Sequence, residues 1–177
     1  MVEIISNLPE DLPVSVVISQ HMPPGFTKSF AERLNKLSRL QVSEVGGGEP
    51  LEAGRVYIAP GGYHLLFEKI GSRILYLSES EGEADRYAPS VDLMMISAAE
   101  FFKEGVFGVV LTGMGDDGKI GLTRVKERGG ITLAESEETS VVFGMPREAI
   151  QAGVVDHVLP LYKIAAEITR YYRRLPK

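Results

Sequence analysis

Short β-branched runs alternate with helical patterns along the chain, the signature of a mostly parallel sheet with crossover helices. Residues 14–19 read as a buried strand. Phe26, Phe30, Leu34 and Leu37 then recur at helical spacing, so a helix over about 27–38 is predicted to lay that face on the sheet. Residues 56–59, 64–69 and 74–77 are short strand candidates separated by Pro60-Gly61-Gly62 and Gly71-Ser72, which suits an antiparallel excursion at one edge. Pro89-Ser90 opens a helix with Ser90 as N-cap, and Val91, Met94, Met95, Ala98, Ala99 and Phe102 supply its buried face. A strand over 106–111 follows, then a helix from Gly118 to Arg128 stopped by Gly129-Gly130, where a left-handed residue is easily accommodated. Residues 131–134 form the next strand, Pro146 starts a short helix, and Val158-Leu159 belong to a last strand. Leu161, Ile164, Ala165, Ile168 and Tyr172 make a final amphipathic helix. The expected fold class is α/β: doubly wound, mostly parallel, with crossover helices and a small antiparallel excursion.

The start fits this scheme least. Open parallel sheets usually begin with a strand that becomes central, yet before Val14 only residues 2–5 are apolar, and 8–13 read as a loop. At 177 residues the chain suits one domain over 1–177, shortened at its N-terminus.

Composition narrows the function. A hydrophobic fraction of 44% with 24% charged residues is too apolar for disorder, and no run approaches the roughly 18 apolar residues of a membrane span. Glu3 stands where a secretory signal would carry basic residues, so a cytoplasmic protein without membrane insertion is expected. Zero cysteines exclude a disulfide framework, a thiol nucleophile and cysteine-type zinc sites. A net charge of −5 with dispersed Lys and Arg argues against a nucleic-acid partner. The basic cluster Arg170, Arg173-Arg174 and Lys177 reads as a complement to a helix dipole. His21, His64 and His157 lack zinc-ligand spacing, so no metal and no cofactor are expected.

Two loops carry candidate chemistry. In Gln20-His21-Met22-Pro23-Pro24-Gly25 a histidine follows the C-terminal end of a strand, the edge where catalytic groups of open α/β sheets gather. Alone it also reads as a turn or core histidine. In Thr112-Gly113-Met114-Gly115-Asp116-Asp117-Gly118 a second strand end passes through a glycine-rich turn into a helix. Its Gly-x-Gly-x-x-Gly spacing, with Glu135 downstream, formally matches a dinucleotide fingerprint, but Asp116 and Asp117 would repel a pyrophosphate from the helix amides. The same amides suit a carboxylate that stays ionised and orients an imidazole during acyl transfer, although simple helix capping explains the aspartates equally well. The glycines also let the Met114 amide serve as an oxyanion donor.

Four segments, Gln20-His21-Met22-Pro23-Pro24-Gly25-Phe26-Thr27, Tyr57-Ile58-Ala59-Pro60-Gly61 with His64, Leu111 to Gly118, and Val142-Phe143-Gly144-Met145-Pro146-Arg147, resemble the chemotaxis protein-glutamate methylesterase family in content and order. The resemblance implies a doubly wound hydrolase that converts γ-glutamyl methyl esters on the cytoplasmic helices of methyl-accepting chemoreceptors to glutamate and methanol, and deamidates certain receptor glutamines. It implies His21 and Asp117 as catalytic residues, with Asp116 at a variable position, and the Met114 backbone amide in the oxyanion hole. Gly113, Gly115, Met145 and Arg147 would line the site, Arg147 as a contact for acidic receptor helices, while His64 would be structural. A receiver domain partners the catalytic domain in the full-length family.

The departure concerns the nucleophile. The family carries a glycine-flanked serine upstream of its histidine motif; here Ser6 has no glycine neighbour, and Ser15 and Ser19 belong to the next strand. Either the chain is part of a longer polypeptide, with a central strand missing, or it is an inactive receptor-docking or regulatory module in which residues 2–5 or another segment fill that place.

Overall fold

The computed structural model describes residues 1–70, 73–80 and 86–173; Gly71-Ser72, Arg174 and Lys177 of the readings above lie outside these. The chain divides into two compact units, Met1–Ser90 with Ala165–Lys177, and Val91–Ile164.

The first unit is built on three parallel strands, β1 (Val16–Ile18), β2 (Gln41–Glu44) and β3 (Arg55–Ile58), in the order β1-β3-β2. Val56, Tyr57 and Ile58 of the middle strand are all buried, as expected where both faces of a parallel sheet are covered. Here the sequence expectation is corrected: residues 56–58 of the 56–59 candidate belong to the parallel sheet, and the antiparallel excursion consists of β4 (Tyr63–Ile70) and β5 (Arg73–Glu79). Strand β2 was not anticipated, because Gln41-Val42-Ser43-Glu44 offers one apolar side chain and too little alternation to register.

Helix α2 (Phe26–Leu37) forms where predicted but is rotated. Thr27, Ala31 and Leu34 face inward, whereas Phe26 is 62% and Leu37 50% exposed. The reason is polar: Thr27 Oγ1 donates to Glu44 Oε1 at 2.5 Å and accepts the Gly61 amide at 3.0 Å, so the first turn is oriented by this buried hydroxyl. Residues 2–5, the apolar run before the first strand, lie in helix α1 (Val2–Asn7), with Ile4 and Ile5 buried, and contribute no strand. A second apolar cluster gathers Val45, Tyr57, Ala59 and Leu65, and the Tyr57 hydroxyl is satisfied by the Pro50 carbonyl and the Glu52 amide.

In the second unit β6 (Phe107–Val110), β7 (Ile131–Glu135) and β8 (His157–Leu159) form another parallel ladder in the order β6-β7-β8. Helix α3 (Val91–Phe102) buries Val91, Met94, Met95, Ala98 and Ala99 and packs on α4 (Lys119–Glu127). Its predicted face is as read, except that Phe102 is only half-buried. Helix α4 stops as its glycines require: Gly129 takes φ +84°, its amide bonds the Lys126 carbonyl, and the Gly130 amide reaches the Val125 carbonyl, a paired closure of the last turn. Helix α5 (Met145–Gln151) carries Pro146 in its first turn. Helix α6 (Leu161–Arg173) ends the described chain with Ile164 and Ala165 buried. The architecture is thus mixed α/β and mostly parallel, the class the sequence predicts.

Candidate active site

In the first unit His21 sits three residues past the end of β1. That end is tied to the sheet by the Ala59 amide, which donates to the Ile18 carbonyl at 2.9 Å. The loop after His21 is clamped by Gly61: a Cβ there would stand 2.6 Å from the Met22 and Pro23 carbonyl oxygens. This close approach is the physical content of the Ala59-Pro60-Gly61 motif, since any side chain at 61 would displace the backbone next to His21. The loop ends at Gly25, whose φ of +86° starts α2.

The half-buried imidazole of His21 stacks on Tyr87, with ring centroids 4.5 Å apart and planes inclined by 11°, and the Arg86 guanidinium carbon stands 5.1 Å from the Tyr87 centroid. Tyr87 had no signal in the sequence beyond being aromatic, 66 residues from its partner in a segment without periodicity. His64 is buried on β4, where its Nδ1 accepts the Ser90 amide at 3.3 Å. That bond gives the ring a structural task, in line with its reading from sequence.

Asp117 occupies the second unit and is only 3% exposed. It caps a helix other than the one it precedes. Its Oδ2 accepts the Val91 amide and its Oδ1 the Asp92 amide, both at 2.8 Å, so it holds the first turn of α3 from 25 residues away. Two orphan amides at a helix N-terminus favour a negative charge on this carboxylate, and the rigid grip fixes where it points. Asp92 answers with its own carboxylate: Oδ1 accepts the Gly118 amide at 2.8 Å and the Gly121 amide at 2.7 Å. Sequence reasoning missed Asp92, whose only mark is an acid in the first turn of a helix.

These bonds also remove the dinucleotide reading. The α4 amides that would face a pyrophosphate, Gly118 and Gly121, already donate to Asp92. Glu135, where a ribose-binding acid would be sought, is fully buried and accepts the Thr112 amide and the Thr139 hydroxyl, each at 2.8 Å.

Between β6 and Asp117 the loop is held open by backbone contacts. The Gly113 amide donates to the Val142 carbonyl, and the Gly113 carbonyl accepts the amides of Gly144 and Met145. Thr112 and Val142 add a reciprocal pair through the Thr112 hydroxyl. Gly115 takes φ +94°, a turn a side chain rarely permits, and the Met114 side chain beside it is 82% exposed. Met145 is buried with its sulfur against Gly113, leaving no room for a Cβ there, while Arg147 in the same helix is exposed. Gly144 is equally confined: a Cβ would meet the Gly113 carbonyl oxygen at 2.6 Å. Gly144→Ala is expected to cost about 1–3 kcal/mol of stability by overpacking. Urea denaturation of the chain checks this, and an unchanged midpoint would show that the loop yields easily.

The second unit thus offers a buried carboxylate, held by two α3 amides, next to a glycine-rich turn. The model of the CheB methylesterase family matches residues 1–168. The chain belongs to this family. It is 53% identical over 165 residues to protein-glutamate methylesterase/protein-glutamine glutaminase 3 of Geobacter sulfurreducens, covering 93% of this chain and 44% of that protein. It is 43% identical over 170 residues to the protein-glutamate methylesterase/protein-glutamine glutaminase of Pyrococcus abyssi, covering 96% and 46% respectively. The crystal structure of the Thermotoga maritima CheB methylesterase catalytic domain superposes with a TM-score of 0.91 at 44% identity, covering 96% of this chain and 90% of that one. The chain therefore spans about half the length of these curated relatives and most of a solved CheB methylesterase catalytic domain. Among the described residues no helix is long and apolar enough to cross a membrane, and no group of three or more His, Asp or Glu stands ready to hold a metal ion.

Proposed function

We propose that residues 1–177 act as one catalytic domain that supplies the histidine and aspartate of a serine-type protein-glutamate methylesterase, working in the cytoplasm on chemoreceptor helices without metal or cofactor. The observation that carries this reading is Asp117, a buried carboxylate gripped by two α3 amides in the loop between β6 and α4, in the position that the family resemblance gives to the catalytic aspartate. His21 takes the proton of the attacking serine and returns it to the departing methanol; water then hydrolyses the acyl-enzyme with the same histidine as base. Asp117 keeps the imidazole in one tautomer and stabilises its positive form. The Met114 amide receives the oxyanion, a role that its glycine neighbours permit. Arg147, exposed at the start of α5, offers a cation to an acidic receptor helix. The same chemistry on a receptor glutamine releases ammonia in place of methanol.

The reading requires a serine from outside these segments, because Ser6 lies within α1 and Ser15 and Ser19 flank β1 without glycine neighbours. A fluorophosphonate probe and methanol release from methylated receptor test it. The chain alone is expected to give neither signal. A serine-extended form, carrying an upstream strand and a glycine-flanked serine turn from a relative, is expected to give both. Binding of receptor with no labelling in the extended form would instead support an inactive docking module, and would overturn the esterase reading.

A further inference from the structure

The mutual capping of α3 and α4 is unusual in its economy. Asp92 lies in the first turn of α3; its amide feeds Asp117 Oδ1, while its carboxylate Oδ1 ties down Gly118 and Gly121, the residues directly after Asp117 and one turn beyond. Close approach makes this possible. A Cβ on Gly121 would stand 2.7 Å from the Met95 Cβ and 3.2 Å from the Asp92 Cα, and one on Gly118 would stand 2.7 Å from a Val110 methyl. Gly118 and Gly121 thus let the N-termini of α3 and α4 come close enough to share a pair of carboxylates.

Two carboxylates so close repel, and Asp92 bears the strain. Burial first, and then the Asp117 and Asp116 charges, push its carboxyl above the usual range, while the Gly121 and Gly118 amides pull it back. Lys119 is the nearby cation; it stands 4.0 Å from Asp116 and 3.5 Å from Glu148. What singles out Asp92 is geometry: one carboxylate oxygen holds two α4 amides, the first directly after Asp117, from a residue whose own amide holds Asp117.

We propose that Asp92 is a positioning residue for the esterase reaction: its Oδ1 locks the backbone on the C-terminal side of Asp117 and its amide orients the Asp117 carboxylate. The inference rests on the proposed role of Asp117. It extends that role to a residue whose side chain faces the α4 backbone and carries no chemistry of its own.

Two measurements test it. In the chain itself, Asp92→Ala is expected to speed hydrogen exchange at the Gly118 and Gly121 amides at least about tenfold, as loss of a charge-assisted bond implies, while Asp92→Asn keeps the Oδ1 acceptor and the protection. In the serine-extended form, Asp92→Ala is expected to lower kcat about 10²-fold, the effect of a misplacement near 1 Å, with KM within about twofold, and Asp92→Asn to recover most of kcat. A cap of purely structural value would lower stability yet leave kcat of the folded enzyme unchanged. Full kcat in Asp92→Ala alongside an inactive Asp117→Ala would overturn the inference and leave the esterase reading standing. Full activity in Asp117→Ala would overturn the reading itself. Should Asp92→Ala fail to fold, Asp92→Asn decides: native stability with a kcat reduced about 10²-fold would contradict the role assigned to Oδ1.

Discussion

Asparagine in place of Asp117 is expected to lower methanol release by the serine-extended enzyme about 10⁴-fold in kcat, the scale on which a triad loses its correct histidine tautomer. The expectation follows from what the two carboxylate oxygens do. Both already accept amides, from Val91 and Asp92, so the carboxylate is held in one orientation. An asparagine keeps one acceptor and turns an N–H₂ toward an amide that needs one, so α3 loses part of its cap as well. That second loss should cost about 0.5–2 kcal/mol, visible as a lower thermal midpoint of the chain itself. The two readouts are separable: the melting shift needs no serine, and the kinetic loss exceeds anything a folded but slightly destabilised protein would show. Retention of activity within tenfold would mean that Asp117 serves α3 alone.

His21→Gln is expected to be the more damaging change, lowering kcat about 10⁵ to 10⁶-fold in the same assay, because the proposed reaction makes this imidazole the base for the serine proton. The amide can occupy much of the imidazole's place against Tyr87 but offers no base. Fold stability should change little, since His21 is half-buried and its loop is clamped by the close approach at Gly61 and turned at Gly25. Circular dichroism and melting of the chain should therefore match the parent, and a large melting shift would point to a structural histidine in the manner of His64.

How far could the letters alone lead? The parallel architecture was legible because its strands are short β-branched runs followed by helical repeats, as in residues 14–37 and 106–128. His21 and Asp117 drew notice as candidates because each lies in a loop that follows a strand, in a segment rich in glycine or proline. What the sequence hid was set by partners distant along the chain. The inward face of α2 depends on a Thr27 hydroxyl that bonds Glu44 and Gly61, which no apolar periodicity encodes. Placement of residues 55–58 at the centre of a parallel sheet depends on β1 and β2 pairing on either side. Helix capping is one of two even readings of Asp117 from the sequence, and the structure shows it holding the first turn of α3, a helix 25 residues upstream. Asp92 and Tyr87 could be found only when the backbone brought them to Asp117 and His21, because an acid in a first helical turn and a lone aromatic are everywhere.

The central claim is that His21 and Asp117 serve a single catalytic step, and a double-mutant cycle on the serine-extended enzyme tests it most directly. With His21→Ala, Asp117→Ala and the combined variant compared by methanol release, residues that act as a unit should give a combined variant no more than about threefold slower than His21→Ala alone. Losses that multiply, each variant lowering the rate by its full factor in the presence of the other, would show two independent contributions and contradict the account.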